Sequence, residues 1–366
     1  NFIASDVTAV LKHTRDVIYL EDGEYAVLTP ESVDVFDSFL EPVEKAVSHI
    51  DWDISSAEKG GYEHFMFKEI MEQPEVIRKT MAPRIRNRKV ILDDIQLSKE
   101  YIKGINKIYI VACGSSYHVG MVAKYNIEKL ARKPVEVALA SEFRYCTPIV
   151  DEKTLVVCIS QSGTTADTIA AMREAKRLGG RVLSIVNVVG STIAKESDDV
   201  IYTWAGPEIA VATTKAYSTQ LAVTYLLSIY LADCCGTINA DEYERLVGEL
   251  LTIPDKIECI LKDKEHIQYL ASLYFNNRDI FFIGRNIDYA LSLEGSLKLK
   301  EISYLHAEAY PAGEMKHGPI ALLDKELPVV ALVPKNELWE KTISNIEESM
   351  ARKSPIIALA TEGDAE

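Results

Sequence analysis

One rhythm occurs twice along the chain: a short, continuous apolar run, a loop of small residues, and then a long helix-forming stretch. The first copy opens with Ile108-Tyr109-Ile110-Val111-Ala112, continues through Cys113-Gly114-Ser115-Ser116, and runs on as a helical stretch to Leu130. An unbroken apolar run of that length is what a strand buried on both faces requires. Similar runs at 135–139, 155–159, 182–186 and 200–204, most of them separated by helical stretches, predict a parallel βαβ sheet covered by helices on both sides. The second copy opens with Asp279-Ile280-Phe281-Phe282-Ile283, passes Gly284-Arg285-Asn286, and enters a helix reaching about Tyr304, with a further strand at 329–333. Ser141-Glu142-Phe143-Arg144-Tyr145 and Gly313-Glu314-Met315-Lys316-His317 stand at matching offsets. Glu142 follows Gly114 by 28 residues and Glu314 follows Gly284 by 30. The fold class expected is α/β, two copies of one parallel-sheet fold.

Outside the repeat the pattern changes. Val17-Ile18-Tyr19-Leu20 and Tyr25-Ala26-Val27-Leu28-Thr29 flank Asp22-Gly23, which predicts a hairpin with its turn at that pair. A lone hairpin is not stable by itself, so residues 1–50 are expected to be the end of a larger N-terminal domain, with a linker at 51–61. Phe65, Phe67, Ile70, Met71, Val76 and Ile77 predict helices broken near Pro74. The expected order is leading helices at 62–98, a first sheet domain at 99–240, connecting helices at 241–270 and a second sheet domain at 271–366.

Composition narrows the partners. With 366 residues, 48% of them apolar and 26% charged, the chain is long enough for two or three domains folded nearly throughout. Its formal charge of −15 repels nucleic acid and anionic membrane surfaces. The basic run Arg84-Ile85-Arg86-Asn87-Arg88-Lys89 reads as a solvated helix end rather than a binding patch. Six cysteines without disulfide or zinc spacing suit a reducing cytoplasm, and neither a metal nor a cofactor is expected. The apolar stretch 221–235 is shorter than a membrane span and carries Thr224, Ser228 and Asp233, so it reads as a buried helix; no signal peptide precedes the first strand.

Two regions carry candidate chemistry. Ser160-Gln161-Ser162-Gly163-Thr164-Thr165 joins a buried strand to a helix starting near Ala166, which puts hydroxyls and amides at a positive helix start. One cap needs one hydroxyl, and four Ser or Thr around a Gly exceed that need, so the loop reads as a phosphate cradle. Gly114, Ser115 and Ser116 repeat the arrangement on a neighbouring strand. Neither loop matches a nucleotide fingerprint, which favours a small phosphorylated molecule. In the second copy Glu294, Lys298 and Glu301 share one helix face. They are flanked by apolar residues that leave little room for water, so some of these charges must face a cavity or a partner. A carboxylate held near a cation can move a proton between adjacent carbons, as ketose–aldose conversion requires. His317, in a Lys-His-Gly-Pro turn, is a further acid–base candidate.

The residues 113–117, Ser160 through Thr168 and the run 298–319 resemble the isomerase part of the glucosamine-6-phosphate synthase family, the isomerizing glutamine–fructose-6-phosphate aminotransferases. The resemblance extends across the chain, with Asn1-Phe2-Ile3-Ala4-Ser5-Asp6 similar to the end of the family's glutaminase domain. It implies two flavodoxin-like sugar-isomerase (SIS) domains and conversion of fructose 6-phosphate to glucosamine 6-phosphate. It implies that Ser116, Ser160, Gln161, Ser162 and Thr165 hold the phosphate and that Val211 and Thr213 contact the sugar. By the same resemblance Glu301 is the base between C1 and C2, Lys298 its supporting cation, and His317 a ring-opening group reaching a neighbouring subunit's site in a homodimer or higher assembly. The family's glutamine-hydrolysing cysteine has no counterpart here, and its C-terminal tail with a Schiff-base lysine falls beyond Glu366. Ammonia is therefore expected from a glutaminase domain of the same polypeptide. Two other classes compete: a phosphosugar isomerase or deglycase without a glutaminase, which the first fifty residues argue against, and a sugar-phosphate sensor joined to DNA-binding helices, for which no basic recognition helix is visible.

Overall fold

In the computed structural model, which describes residues 1–4, 7, 10, 13–21, 23–50 and 59–364, the chain divides into two units, 1–69 with 206–211 and 70–205 with 212–366. Strands β1 (Asp16–Val17), β2 (Tyr25–Leu28), β3 (Val33–Phe36) and β4 (Ser48–His49) form two antiparallel pairs in the first unit, β1 with β4 and β2 with β3. The hairpin thus turns after Leu28 and not at Gly23. Thr29 Oγ1 accepts from the amides of Glu31 and Ser32 at 3.2 and 2.9 Å, and this side-chain-closed turn selects the register. The Glu24 amide donates to the Glu21 carbonyl at 3.1 Å, so the chain does turn at Gly23, but β1 pairs with β4 and β2 with β3 rather than with each other across that turn. Asp22, Ser5, Asp6 and linker positions 51–58 lie outside the described residues.

Helix α1 (Phe65–Met81) passes through Pro74 without a break. Proline removes the amide that would bond the Ile70 carbonyl, and Gln73 Nε2 donates to that carbonyl at 3.0 Å in its place. In the basic run that follows, Arg86, Arg88 and Lys89 are exposed as expected, but the run forms a hairpin rather than a helix end and its first residue departs from the rest. Arg84 is buried, donates to the Thr80 carbonyl at 2.8 Å and to Asp94 at 3.1 Å, and burial pulls its guanidinium below the ordinary range. Strands β5 (Ile85–Arg86) and β6 (Lys89–Val90) then close a two-residue turn in which Asn87 and Arg88 have φ of 51° and 57°, the twist that tight hairpins favour.

After α2 (Lys99–Gly104) the sheet fold begins. In chain order come β7 (Lys107–Ala112), α3 (Gly114–Leu130), β8 (Val135–Leu139), α4 (Ala140–Phe143), β9 (Thr154–Ser160), α5 (Ala166–Arg177), β10 (Arg181–Val186), α6 (Thr192–Glu196) and β11 (Asp199–Tyr202). All five strands are parallel, in the order β11-β10-β9-β7-β8. Every residue of β9 is buried, as its unbroken apolar run demands. One core lies on the face covered by α3 and the long helix α7 (Lys215–Cys235), and a second lies on the face covered by α5.

Helices α8 (Ala240–Ile260) and α9 (Lys264–Tyr274) lead into the second sheet, β12 (Asp279–Gly284), α10 (Ile287–Ser303), β13 (His306–Pro311), β14 (Val329–Val333), α11 (Trp339–Met350) and β15 (Ile356–Ala360). Its parallel order, β13-β12-β14-β15, repeats four of the five strands of the first sheet, β8-β7-β9-β10, with β12 in the place of β7 and β14 in that of β9. The equivalence extends to the turns after β8 and β13, where α4 carries Glu142 and a 3-10 turn, Ala312–His317, carries Glu314. Helix α3 packs against both α7 and α10, which joins the two sheets through their first helices. Among the described residues no helix is long and apolar enough to cross a membrane.

Asp288, in the first turn of α10, is buried and accepts a long hydrogen bond from the Asn336 amide, at 3.4 Å, and burial pushes its carboxyl above the usual range. A carboxyl raised by folding contributes its full stability below the unfolded value and loses it as pH rises through the folded value. Asp288→Asn is therefore expected to raise the melting temperature at pH 7 by about a degree or two, a gain that fades near pH 4. Calorimetric melts at the two pH values test this, and an equal shift at both would overturn it.

Candidate active site

In an open parallel sheet a ligand crevice forms beyond the carboxyl ends of the two strands from which the connections depart to opposite faces. Here those strands are β7 and β9, adjacent and paired up to Ala112 and Ile159. The two hydroxyl loops leave from these ends. Helices α3 and α5 both start without a side-chain cap: Cys113 and Thr165 stand at the cap positions and neither side chain bonds the first turn. Their leading amides are thus available to an anion, in the direction the helix dipole favours.

The 160–165 loop is held by its own hydroxyls. Ser160 Oγ accepts from the Gly163 amide at 3.0 Å and lies 3.1 Å from Thr165 Oγ1. Ser162 Oγ accepts from the Thr164 amide at 3.2 Å and from Thr164 Oγ1 at 3.1 Å. The outer wall is the segment leading into α6 and that helix's first turn: Asn187 N–H donates to the Gln161 carbonyl at 3.2 Å and Ile193 N–H to the Gly163 carbonyl at 2.9 Å. Gly163 has φ +67°, and a Cβ there would stand 2.0 Å from Ser191 Oγ, so only glycine fits. On the other strand Gly114 opens α3 at φ +54°, Ser115 is buried, and Ser116 Oγ donates to Gln220 Oε1 of α7 at 3.1 Å.

The acid–base candidates lie on α10, the helix packed against α3. Lys298 Nζ sits between two carboxylates, hydrogen-bonded to Glu301 and 3.6 Å from Glu294 Oε1. Exposure rises along the face, from 8% for the Glu294 side chain through 17% for Lys298 to 35% for Glu301. The apolar flanks therefore enclose the first of the three and leave Glu301, near the end of the helix, open to a ligand. His118, on the second turn of α3, donates from Nδ1 to Glu294 Oε2 at 2.7 Å. Tyr217 of α7 lies nearby, its hydroxyl buried without a hydrogen-bond partner among the described residues. Burial, and then the Glu294 charge, pushes that hydroxyl's pKa up.

Of the remaining expected residues, His317 is exposed at the end of its 3-10 turn, Val211 is 99% exposed in the first unit, and Thr213 is half-buried ahead of α7. Three residues escaped the sequence reading. Gln220 is a polar residue in the apolar helix α7 and is buried, and that anomaly alone would have marked it. His118 and Tyr217 carry no such mark, because their importance comes from facing Glu294 across elements distant in sequence.

The model of the SIS domain matches residues 101–230 and 273–366, more than half of the chain. The chain is 56% identical over 363 residues to the isomerizing glutamine–fructose-6-phosphate aminotransferase of Clostridium tetani, covering 99% of this chain and 60% of the relative's length. Among solved structures it resembles the C-terminal domain of glucosamine-fructose-6-phosphate aminotransferase from Francisella tularensis, with a TM-score of 0.81 at 41% identity over 83% of this chain and 86% of that one. It shares its fold with glucosamine-6-phosphate deaminase from Thermotoga maritima, with a TM-score of 0.64 at 24% identity over 82% of this chain and 85% of that one. With two matched stretches that carry the two repeated sheets, the chain belongs to the SIS domain family, in the group that holds the C-terminal domains of these aminotransferases.

Proposed function

We propose that this chain is the sugar-phosphate half of an isomerizing glutamine–fructose-6-phosphate aminotransferase, which turns fructose 6-phosphate and ammonia into glucosamine 6-phosphate. The observation that carries the reading is the direct join between its two chemical parts. The helix that opens one anion-binding loop, α3, is bonded through His118 to the helix that presents Lys298 and Glu301. In this reading the amides at the starts of α3 and α5, with Ser116, Ser160, Gln161, Ser162 and Thr165, hold the 6-phosphate. Ammonia adds to the C2 carbonyl with loss of water. Glu301 then takes a proton from C1 while the imine nitrogen gains one, leaving the enaminol, and returns a proton to C2 while the C1 hydroxyl gives up its own, so that the ketose imine becomes a 2-amino aldose. Lys298 holds Glu301 in orientation. Val211 and Thr213 contact the sugar, and the exposed His317 serves ring opening in a neighbouring subunit, which makes a homodimer the smallest active form. Residues 1–50 close a glutaminase domain of the same polypeptide, the source of ammonia from glutamine. The domain limits are 51–61 for the linker, 62–98 for the leading helices, 99–240 and 271–366 for the SIS domains and 241–270 between them. Free thiols at all six cysteines suit a cytoplasmic enzyme.

The test supplies the complete polypeptide with fructose 6-phosphate and either an ammonium salt or glutamine, and follows the sugar phosphates by mass spectrometry. Glucosamine 6-phosphate is expected with both nitrogen sources. Formation of glucose 6-phosphate without amino sugar would replace the proposal with a phosphosugar isomerase.

A further inference from the structure

The cluster on α10 has one cation for two carboxylates. Glu294 and Glu301 both face Lys298, and Lys298 is hydrogen-bonded to Glu301 while standing off Glu294 by 3.6 Å. That choice needs a cause, because Glu294 is the more buried of the two and stands to gain more from a partner. Glu294 Oε1 makes no hydrogen bond, and the hydroxyl of Tyr217, though near, does not bond it either. The remaining oxygen, Oε2, is held by His118 Nδ1 at 2.7 Å, and His118 is itself 13% exposed and fixed on α3.

We infer that His118 is a positioning residue for the proton transfer: it occupies Glu294 so that Lys298 stays with Glu301. Without the imidazole N–H, the buried Glu294 carboxylate competes for Lys298, whose ammonium already stands 3.6 Å from its Oε1. A movement of about 1 Å, enough to change a rate by roughly a hundredfold at a reacting centre, brings the ammonium to it and away from Glu301. The hydrogen bond of His118 goes to Glu294 on α10 and not to the substrate in this scheme, so its effect belongs to turnover and not to substrate affinity. The inference rests on the proposed function, since it assigns a role in that reaction.

Four variants of the complete polypeptide test it, with kcat and KM for fructose 6-phosphate read from glucosamine 6-phosphate formation at saturating ammonium. His118→Leu is expected to lower kcat by about 10- to 100-fold with KM within about threefold of wild type. His118→Asn, whose amide nitrogen can stand where Nδ1 stands, restores most of kcat; a role that is only structural would not distinguish Asn from Leu in this way. In a Glu294→Gln background, which removes the competing charge, adding His118→Leu changes kcat by less than about twofold. Unchanged kcat in His118→Leu overturns the inference, as do equal losses in the Leu and Asn variants or full additivity with Glu294→Gln. A wild type that makes no amino sugar overturns the proposed function and this inference with it, whereas an active wild type with an equally active His118→Leu overturns the inference alone.

Discussion

A Gly163→Ala chain is expected to fold, melt a few degrees below wild type, and bind fructose 6-phosphate about a hundredfold more weakly. Two effects combine at this position. The backbone has φ +67°, where a side chain costs about 1–2 kcal/mol. The new Cβ also meets Ser191 Oγ at 2.0 Å and Ser191 Cβ at 2.5 Å, and Ser191 is buried, so it cannot swing aside. The two segments are tied by the Ile193 amide on the Gly163 carbonyl, so relief of the clash moves the whole 160–165 loop against its wall. That displaces the Ser162 hydroxyl and re-aims the first amides of α5, groups placed on the phosphate. Gly179→Ala separates the causes: its φ is +94° and no atom lies within 4 Å of the added Cβ, so it carries the backbone strain without the clash. Titration calorimetry with fructose 6-phosphate should find Gly179→Ala destabilised with wild-type affinity and Gly163→Ala impaired in affinity. Equal affinities for the two would remove the 160–165 loop from the binding site.

How far the sequence could be read follows from which contacts are local. The parallel strands are legible because the middle of a strand covered on both faces admits no polar position; β7, β9 and β12 each show this in a run of four or five apolar residues. The hydroxyl loops are legible for a similar reason, since the helix starts they serve follow them directly in sequence. What fails depends on contacts made across the chain or by a side chain acting for the backbone. Pro74 stays helical because the neighbouring Gln73 supplies the donor the proline lacks. Arg84 is buried because Thr80 and Asp94 receive it, which a count of basic residues cannot foresee. The Asp-Gly pair loses to the turn closed by Thr29, a competition between two good turn sequences that only pairing partners decide. On α10 the spacing of Glu294, Lys298 and Glu301 announced a shared face. Which carboxylate would hold the lysine was decided 176 residues earlier in sequence, at His118.

Glu301→Gln is expected to abolish turnover, with a loss of about a thousandfold or more in kcat, while fructose 6-phosphate still binds. Glutamine keeps the shape of the side chain and can still accept a hydrogen bond from Lys298, so the helix and its packing survive. What it lacks is basicity, and the scheme asks Glu301 for one thing, removal of the C1 proton and its return at C2. The partial reaction isolates that step: in deuterated water the wild type exchanges the transferred hydrogen or delivers solvent deuterium to C2, and the variant does neither. Lys298→Met, close in length and without charge, should fall between the two, since it leaves a base in place but removes the cation that holds it. This ranking separates Glu301 from the more buried Glu294, which shares the same lysine but is enclosed by α3 and α10. Solvent-derived deuterium at C2 in the Glu301→Gln product would show that the proton passes through another group, and the base would then have to be sought off this helix face.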